Sequence, residues 1–248
     1  GVVLSHANLE AQIRMLVSAW SWKREDRILH TLPLHHIHGL INALLCPLWC
    51  GAVCEFLPRF DPREVWKHLT GNQVTVFMGV PTIYAKLLAY RKELSGKQDL
   101  LRDLSCTHLR LMVSGSAPLP VELFNEWRAT TGQRLLERYG MTEIGMALSN
   151  PLKGARRPGF VGKALPGVQI RRVDDWGDVI ERDEVAGEIE VRGAAVFGEY
   201  WRRPEETAEA FHNGWFRTGD IAVIEDGYWK ILGRRSVDII KTGGHKVT

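Results

Sequence analysis

Apolar positions in the first half of the chain recur in two alternating rhythms. Leu9, Ile13, Leu16 and Trp20 fall at near-helical spacing and predict an opening helix. Arg27 to Leu32 predicts a short strand running into Pro33, since the residue before proline favours extended backbone. Gly51 to Leu57 predicts a second strand. Asp61-Pro62-Arg63-Glu64 supplies an acidic N-cap, a proline at the first helical position and a glutamate at the third, so a helix over Pro62 to Thr70 follows. Val74 to Met78 reads as a strand, and Ile83, Leu87, Tyr90 and Leu94 as the next helix. Leu109 to Val113 then predicts a strand, and Leu123, Phe124 and Trp127 a further helix. Alternation of this kind predicts an α/β fold, a parallel sheet covered by helices.

Beyond about Pro151 the texture changes. Gly154 to Gly167 is rich in Gly, Pro and Arg, and short β-patterned runs follow at Val168 to Val173, Gly187 to Arg192, Ile221 to Glu225 and Tyr228 to Leu232. The last two flank Asp226-Gly227, a strong hairpin signal. A small antiparallel β-subdomain is therefore expected over residues 151–232, after an α/β subdomain over 1–150. Gly233-Arg234-Arg235, Asp238-Ile239-Ile240-Lys241 and Gly243-Gly244 make 233–248 a flexible cationic segment. There is no internal repeat, and the one long polar stretch is Asp174 to Glu184.

Composition narrows the possible functions. With 248 residues and 45% hydrophobic content the chain can bury a substantial core. A formal net charge of +3 suits anionic small substrates but not the dense basic surface of a nucleic-acid binder. No apolar run reaches the ~18 residues of a membrane span. Cys46, Cys50 and Cys54 match no common zinc or iron–sulfur spacing and stand among Leu, Trp, Val and Phe. With Cys106 they read as packed free thiols of a reducing compartment. The opening Gly1-Val2-Val3-Leu4-Ser5-His6 has neither an initiator methionine nor a basic signal region, so a start in mid-sequence is expected, with any targeting segment missing.

The richest chemistry lies in Leu135 to Ser149. Leu135-Leu136 leads into Glu137-Arg138-Tyr139 and then Gly140, where the strand is expected to turn. Thr142-Glu143 follows, and Gly145, Met146, Ala147 and Leu148 close the segment. An aromatic ring can stack a purine, a threonine hydroxyl can donate to a phosphate oxygen, and a glutamate can hold Mg²⁺, which favours one or two carboxylates plus phosphate oxygens. Ser114-Gly115-Ser116-Ala117-Pro118 stands at the carboxyl end of a predicted strand, where open α/β sheets bind ligands. Trp215 to Asp220 sets a carboxylate after a glycine turn, suited to accepting hydrogen bonds from a ribose diol.

In this order the motifs resemble the adenylate-forming superfamily of acyl-CoA synthetases, luciferases and peptide-synthetase adenylation domains. Gly1 to Asn8 resembles the residues after that family's phosphate loop, and Leu32 to Leu40 (LPLHHIHGL) its proline–histidine motif. SGSAP resembles the adenine-side strand end, YGMTE the central signature, RTGD the ribose motif, and GRRSVDIIKTGG the hinge to a small domain. The resemblance implies ATP, Mg²⁺ and coenzyme A as cofactor and co-substrates. It assigns nucleotide contacts to Gly115, Ser116, Ala117, Tyr139, Gly140, Met141, Thr142 and Asp220, and Mg²⁺ to Glu143. Either Arg234 or Arg235 would reach the nucleotide, because the spacing to Asp238 is one residue longer than in many relatives. His36 would line the acyl tunnel and, with Thr142 and Glu143, belong to the catalytic set. Residues 1–150 then become a nucleotide- and acyl-binding subdomain, and 233–248 the hinge.

Within the superfamily, LLERYGMTE with Met146, Ser149-Asn150-Pro151 and VGKALPGV most resemble malonyl-CoA and methylmalonyl-CoA synthetases. Arg138 could clasp the distal carboxylate of a three-carbon diacid through two parallel hydrogen bonds, with Met146 as the floor of a short acyl pocket. The implied reaction is attack of a carboxylate on the α-phosphorus of ATP with release of pyrophosphate, then displacement of AMP by the thiol of coenzyme A. A medium- or long-chain acyl-CoA synthetase and a non-catalytic nucleotide-binding module are the alternatives. Amino-acid adenylation is disfavoured because His35-His36-Ile37-His38 stands where that branch carries an aspartate. A metal site at His30, His35 and His38 ranks behind tunnel lining or packing. The phosphate loop and the adenylation lysine are expected outside these residues, leaving a poorly catalytic fragment with exposed sheet edges. A cytoplasmic location is expected, with the mitochondrial matrix as the alternative.

Overall fold

A computed structural model describes residues 1–94, 105–235, 240–242 and 245–247. Asp238, Ile239, Gly243 and Gly244 of the expected hinge lie outside the described residues. β1 (Val2–Val3) and α1 (His6–Ala19) come first, followed by β2 (Arg27–His30), α2 (Cys46–Trp49), β3 (Val53–Phe56) and α3 (Pro62–Thr70). Next come β4 (Val76–Gly79), α4 (Pro81–Leu94), β5 (Leu111–Ser114), α5 (Val121–Thr131), β6 (Leu136–Met141) and β7 (Gly145–Ser149). The chain forms two compact units. Ile13–Arg138 with Pro151–Gly159 makes the parallel-sheet unit; Gly1–Gln12, Tyr139–Asn150 and Phe160–Thr248 make the β unit.

In the parallel-sheet unit the strand order is β3-β2-β4-β5-β6, all parallel, with Ile28 opposite both Cys54 and Val76, Val76 opposite Leu111, and Val113 opposite Leu136. Strands covered by helices on their faces read as continuous apolar runs rather than alternation, and β4 and β5 are buried along their whole length. The helices fill the core with large rings. Trp66 of α3 stacks on Trp127 of α5 at 5.4 Å, and Tyr84 of α4 meets Trp127 edge-on at 4.9 Å. Two of the three polar ends are satisfied, since Trp66 Nε1 donates to the Leu87 carbonyl at 2.9 Å and Tyr84 Oη to that of Val113 at 2.7 Å, while Trp127 Nε1 is buried with no hydrogen-bond partner. Asp61 caps α3, accepting from the Arg63 and Glu64 amides at 2.8 and 3.2 Å. A π-helix over His38–Leu45, which the sequence pattern left unassigned, runs into α2.

The remaining elements lie in the β unit. They are β8 (Lys163–Ala164), β9 (Gln169–Val173), β10 (Gly187–Arg192), β11 (Glu199–Tyr200), α6 (Pro204–Ala210), β12 (Phe211–His212), β13 (Trp215–Glu225), β14 (Tyr228–Arg234), β15 (Ile240–Thr242) and β16 (His245–Val247). β9, β10, β13 and β14 pair antiparallel in that order, and β12 also pairs with β13. The turn from β13 to β14 is Asp226-Gly227, with φ of 51° and 74°, the backbone a two-residue hairpin needs. A cluster of Phe197, Phe211, Phe216, Ile189, Val191 and Trp229 forms the core. α6 is a helix within this antiparallel subdomain that the sequence pattern left unassigned; none of its residues is fully buried.

Candidate functional site

Two polar clusters draw their residues from the Leu135 to Ser149 stretch, one in each unit. β6 crosses the boundary between the units, with Arg138 the last of its residues in the parallel-sheet unit and Tyr139 the first in the β unit. The turn expected at Gly140 is displaced. β6 runs on through Gly140 to Met141, and the chain turns at 142–144 before entering β7. Gly140 is required for close approach instead: a Cβ there would lie 2.1 Å from the Gly145 carbonyl oxygen and 2.8 Å from Met146 Cα. The left-handed backbone falls at Gly145, with φ of 64°.

In the β unit, Tyr139 Oη donates to Asp220 Oδ2 at 2.6 Å, and Arg234 Nε lies 3.3 Å from Asp220 Oδ1. Both carboxylate oxygens are thus held. Asp220 is fixed along the backbone as well, its amide donating to Thr218 Oγ1 at 3.1 Å while that hydroxyl donates to the Ile189 carbonyl at 2.9 Å. Burial, and then the neighbouring Asp220 charge, push the Tyr139 phenol well above its ordinary pKa, so it stays a donor. Nearby, Tyr200 Oη donates to Glu143 Oε1 at 3.1 Å, and the Phe197 amide donates to the Glu143 carbonyl at 2.8 Å. A cavity of about 660 Å³ opens beside these groups, with Tyr200, Thr218, Gly219 and Arg234 among its lining residues. Of the two arginines, Arg234 faces Asp220. Arg235 is taken up by Glu188 at 2.8 Å and Asp175 at 3.1 Å. Thr142 is exposed at the turn, Met141 is half-buried, and Met146 is buried in β7 with its amide donating to Gln12 Oε1 at 2.6 Å.

In the parallel-sheet unit, Arg138 is 3% exposed, and among the described residues no carboxylate pairs with it. Its Nη2 donates to Ser116 Oγ at 3.1 Å, and that hydroxyl lies 3.4 Å from His38 Nδ1. The guanidinium lies flat on Gly115, where a Cβ would come within 2.5 Å of Cζ and Nε. The small residues at the end of β5 thus admit the arginine, and Ser116 adopts a left-handed φ of 69° to reach it. Ala117, beside it, is exposed. Burial pushes Arg138 down to about 9, still cationic at neutral pH. His38 is driven well below its ordinary value, by burial first and then by the Arg138 charge, and is neutral. Arg138 Nε, His38 Nε2, Ser114 Oγ and both amide atoms of Asn42 are buried with no hydrogen-bond partner. Ser114 ends β5 and Arg138 lies in β6, whereas His38 and Asn42 belong to the π-helix; buried polar atoms without partners call for a physical reason, and a polar ligand is one.

Asn42 is not singled out in the sequence, His38 enters there only in the weighing of a metal site, and Ser114 only as part of the SGSAP run. The histidine run offers three candidates, and His36 is the one matched to the motif; the structure leaves His36 exposed, its ring against His35 at 4.3 Å, and buries His38 beside Arg138 instead. The first turn of the π-helix decides which histidine points inward. Among the described residues no group of three or more His, Cys, Asp or Glu is placed to hold a metal ion. It leaves room for the single-carboxylate arrangement Mg²⁺ adopts when phosphates supply its other ligands, and Glu143, with one oxygen held by Tyr200, fits that donor set. None of the four cysteines is in a disulfide; Cys46 and Cys106 are buried, while Cys50 and Cys54 are half-buried.

Glu137 makes stability sensitive to pH. It is 5% exposed and accepts from the Leu119 amide at 3.1 Å. Burial pushes its carboxyl from 4.5 up to about 7. Because the folded value exceeds the unfolded one, the folded state holds the proton more tightly. This contribution is intact below about 4.5 and is lost as pH rises through about 7. Glu137→Gln is expected to leave stability unchanged at pH 4.5 and raise it by roughly 1–3 kcal/mol at pH 8, read from urea midpoints at the two pH values.

The family model described as AMP-binding enzyme matches residues 1–201. The chain is 51% identical to the mitochondrial malonate–CoA ligase ACSF3 of Mus musculus and 49% identical to that of Xenopus laevis; each comparison covers all of this chain and 47% of the relative. It is 45% identical to the malonate–CoA ligase of Arabidopsis thaliana, covering 42% of it. The chain therefore spans about half the length of the curated relatives it matches. Among solved structures, ATP-bound MatB of Rhodopseudomonas palustris is similar with a TM-score of 0.89 and 43% identity over all of this chain and 47% of its own. A malonyl-CoA ligase ternary product complex with methylmalonyl-CoA and AMP is similar with a TM-score of 0.84 and 41% identity, over 99% of this chain and 52% of its own.

Proposed function

Because the chain belongs to the AMP-binding enzyme family, we propose that it is part of an ATP-dependent acid–thiol ligase that activates malonate or methylmalonate as an acyl adenylate and passes the acyl group to coenzyme A. The observation that carries the reading is Arg138, a buried cation with no acid partner among the described residues, seated on Gly115 and braced by Ser116. Such a charge gains most from an incoming carboxylate, and a second carboxylate on the same short acid is left to react. His38, being neutral, does not compete with the acid for the guanidinium. In the next residue along, Tyr139 supplies a ring for adenine, and its hydroxyl, with Arg234, orients Asp220 toward the ribose diol. Glu143 would hold Mg²⁺, which supplies charge neutralisation on the phosphates. Thr142 is assigned to the α-phosphate, Met146 to the end of the acyl pocket and His36 to the tunnel wall.

The protein's own groups have to bring two anions together, and charges ~4 Å apart repel by about 1 kcal/mol in water and several times more in a drier site. Arg138, in the parallel-sheet unit, supplies a cation for the acid, and Arg234, in the β unit, one for the nucleotide, each offsetting part of that repulsion. No helix among the described residues is long and apolar enough to cross a membrane. The mitochondrial names of the vertebrate relatives support that compartment over the cytoplasm. The test is an acid panel on the full-length protein, following pyrophosphate release. Malonate and methylmalonate are expected to exceed propionate and hexanoate at least tenfold in kcat/KM; a preference for either monoacid overturns the diacid assignment.

A further inference from the structure

We propose that Tyr200 is a positioning residue for the Glu143 carboxylate, holding one oxygen so that the other is presented to the nucleotide-bound cation. The proposal rests on the reading of Glu143 as the Mg²⁺ carboxylate. Two residues of one short segment grip Glu143 from different sides. Phe197 donates its amide to the Glu143 carbonyl at 2.8 Å and so fixes the backbone, while Tyr200 Oη donates to Oε1 at 3.1 Å and so fixes the side chain.

Tyr200 is itself anchored. Its ring packs on Phe197 at 4.7 Å, and its amide donates to Thr207 Oγ1 at 3.0 Å. β11, which carries it, pairs antiparallel with β1 through Val2 opposite Tyr200. The ring therefore has its packing without the hydroxyl, and the hydroxyl bond adds orientation. A glutamate at the exit of a turn otherwise rotates among several rotamers, and freezing it on binding would cost affinity. Partners that orient a metal-bound carboxylate are worth about 10–100-fold in metal affinity.

The experiment is a calorimetric titration of ATP into the full-length protein at a series of Mg²⁺ concentrations without acid substrate, alongside AMP in metal-free buffer. Wild type, Tyr200→Phe and Glu143→Gln are compared, with melting temperature as a control on the fold. Tyr200→Phe keeps the ring. It is expected to raise the Mg²⁺ concentration for half-maximal ATP binding about tenfold, to leave metal-free AMP binding within about twofold, and to melt close to wild type. If Glu143→Gln raises the Mg²⁺ requirement and Tyr200→Phe does not, the proposal falls while the Glu143 reading stands. If Tyr200→Phe weakens metal-free AMP binding as much as Mg²⁺-dependent ATP binding, Tyr200 is a general structural residue and the proposal falls. If Glu143→Gln leaves the Mg²⁺ requirement unchanged, the Glu143 reading falls and takes the proposal with it.

Discussion

Arg138→Leu is expected to lower kcat/KM for malonate by a factor of about 10²–10⁴ while changing that for propionate less than about fivefold. The size follows from burial. Stripping one partner from a buried charge pair costs roughly 3–5 kcal/mol, and each 1.4 kcal/mol is a factor of about ten. The variant removes a cation that is 3% exposed and leaves an incoming distal carboxylate facing Ser116 and a neutral His38. A monoacid has no such carboxylate. Arg138→Lys is expected to recover part of the loss, because an ammonium restores the charge but not the planar fork. Equal losses for malonate and propionate would mean that Arg138 supports the fold of the site rather than selecting the acid.

Asp220→Ala is expected to weaken AMP binding by about a hundredfold, measured by calorimetry at constant ionic strength. Hydrogen bonds to a charged group contribute roughly 1.5–3 kcal/mol each, and a ribose diol offers two. The substitution also strands its neighbours. Tyr139 Oη loses its 2.6 Å acceptor in a buried setting, and Arg234 loses the carboxylate 3.3 Å from its Nε. Tyr139→Phe is a milder change that keeps the ring and frees only Asp220 Oδ2. An Asp220→Ala affinity within about threefold of wild type would separate the aspartate from the nucleotide.

What could be read from the sequence followed local chemistry. Asp61 and Pro62 set the start of α3, and the structure begins that helix at Pro62 with the Asp61 carboxylate on the Arg63 and Glu64 amides. Asp226-Gly227 set the β13–β14 hairpin for the same reason, since two consecutive positive φ values are needed there. Segments whose conformation is decided by their neighbours were harder. The π-helix over His38–Leu45 and α2 is apolar on nearly every face and carries Pro47, so it shows no 3.6-residue period. α6 has no fully buried residue and gives no apolar stripe. Gly140 looked like a turn because glycine usually marks one, whereas its reason is the Gly145 carbonyl packed against its Cα across the hairpin.

The site divides in the same way. Arg138, Tyr139, Glu143 and Asp220 stood out because their chemistry is unusual beside a glycine-bounded strand end. His38 and Tyr200 did not. One is chosen over His36 by the first turn of a π-helix, and the other lies far from Glu143 in sequence and meets it only through the fold.

The central claim is that Asp220, oriented by Tyr139 and Arg234, receives the ribose of the nucleotide. The most direct measurement is a ligand–protein cycle in which AMP and its 2′-deoxy and 3′-deoxy forms are titrated into wild type and Asp220→Ala by calorimetry. The structure predicts that each missing hydroxyl weakens binding to wild type about tenfold and has almost no effect in the variant, because the acceptor is already gone. Deoxy penalties of the same size in both proteins would contradict it.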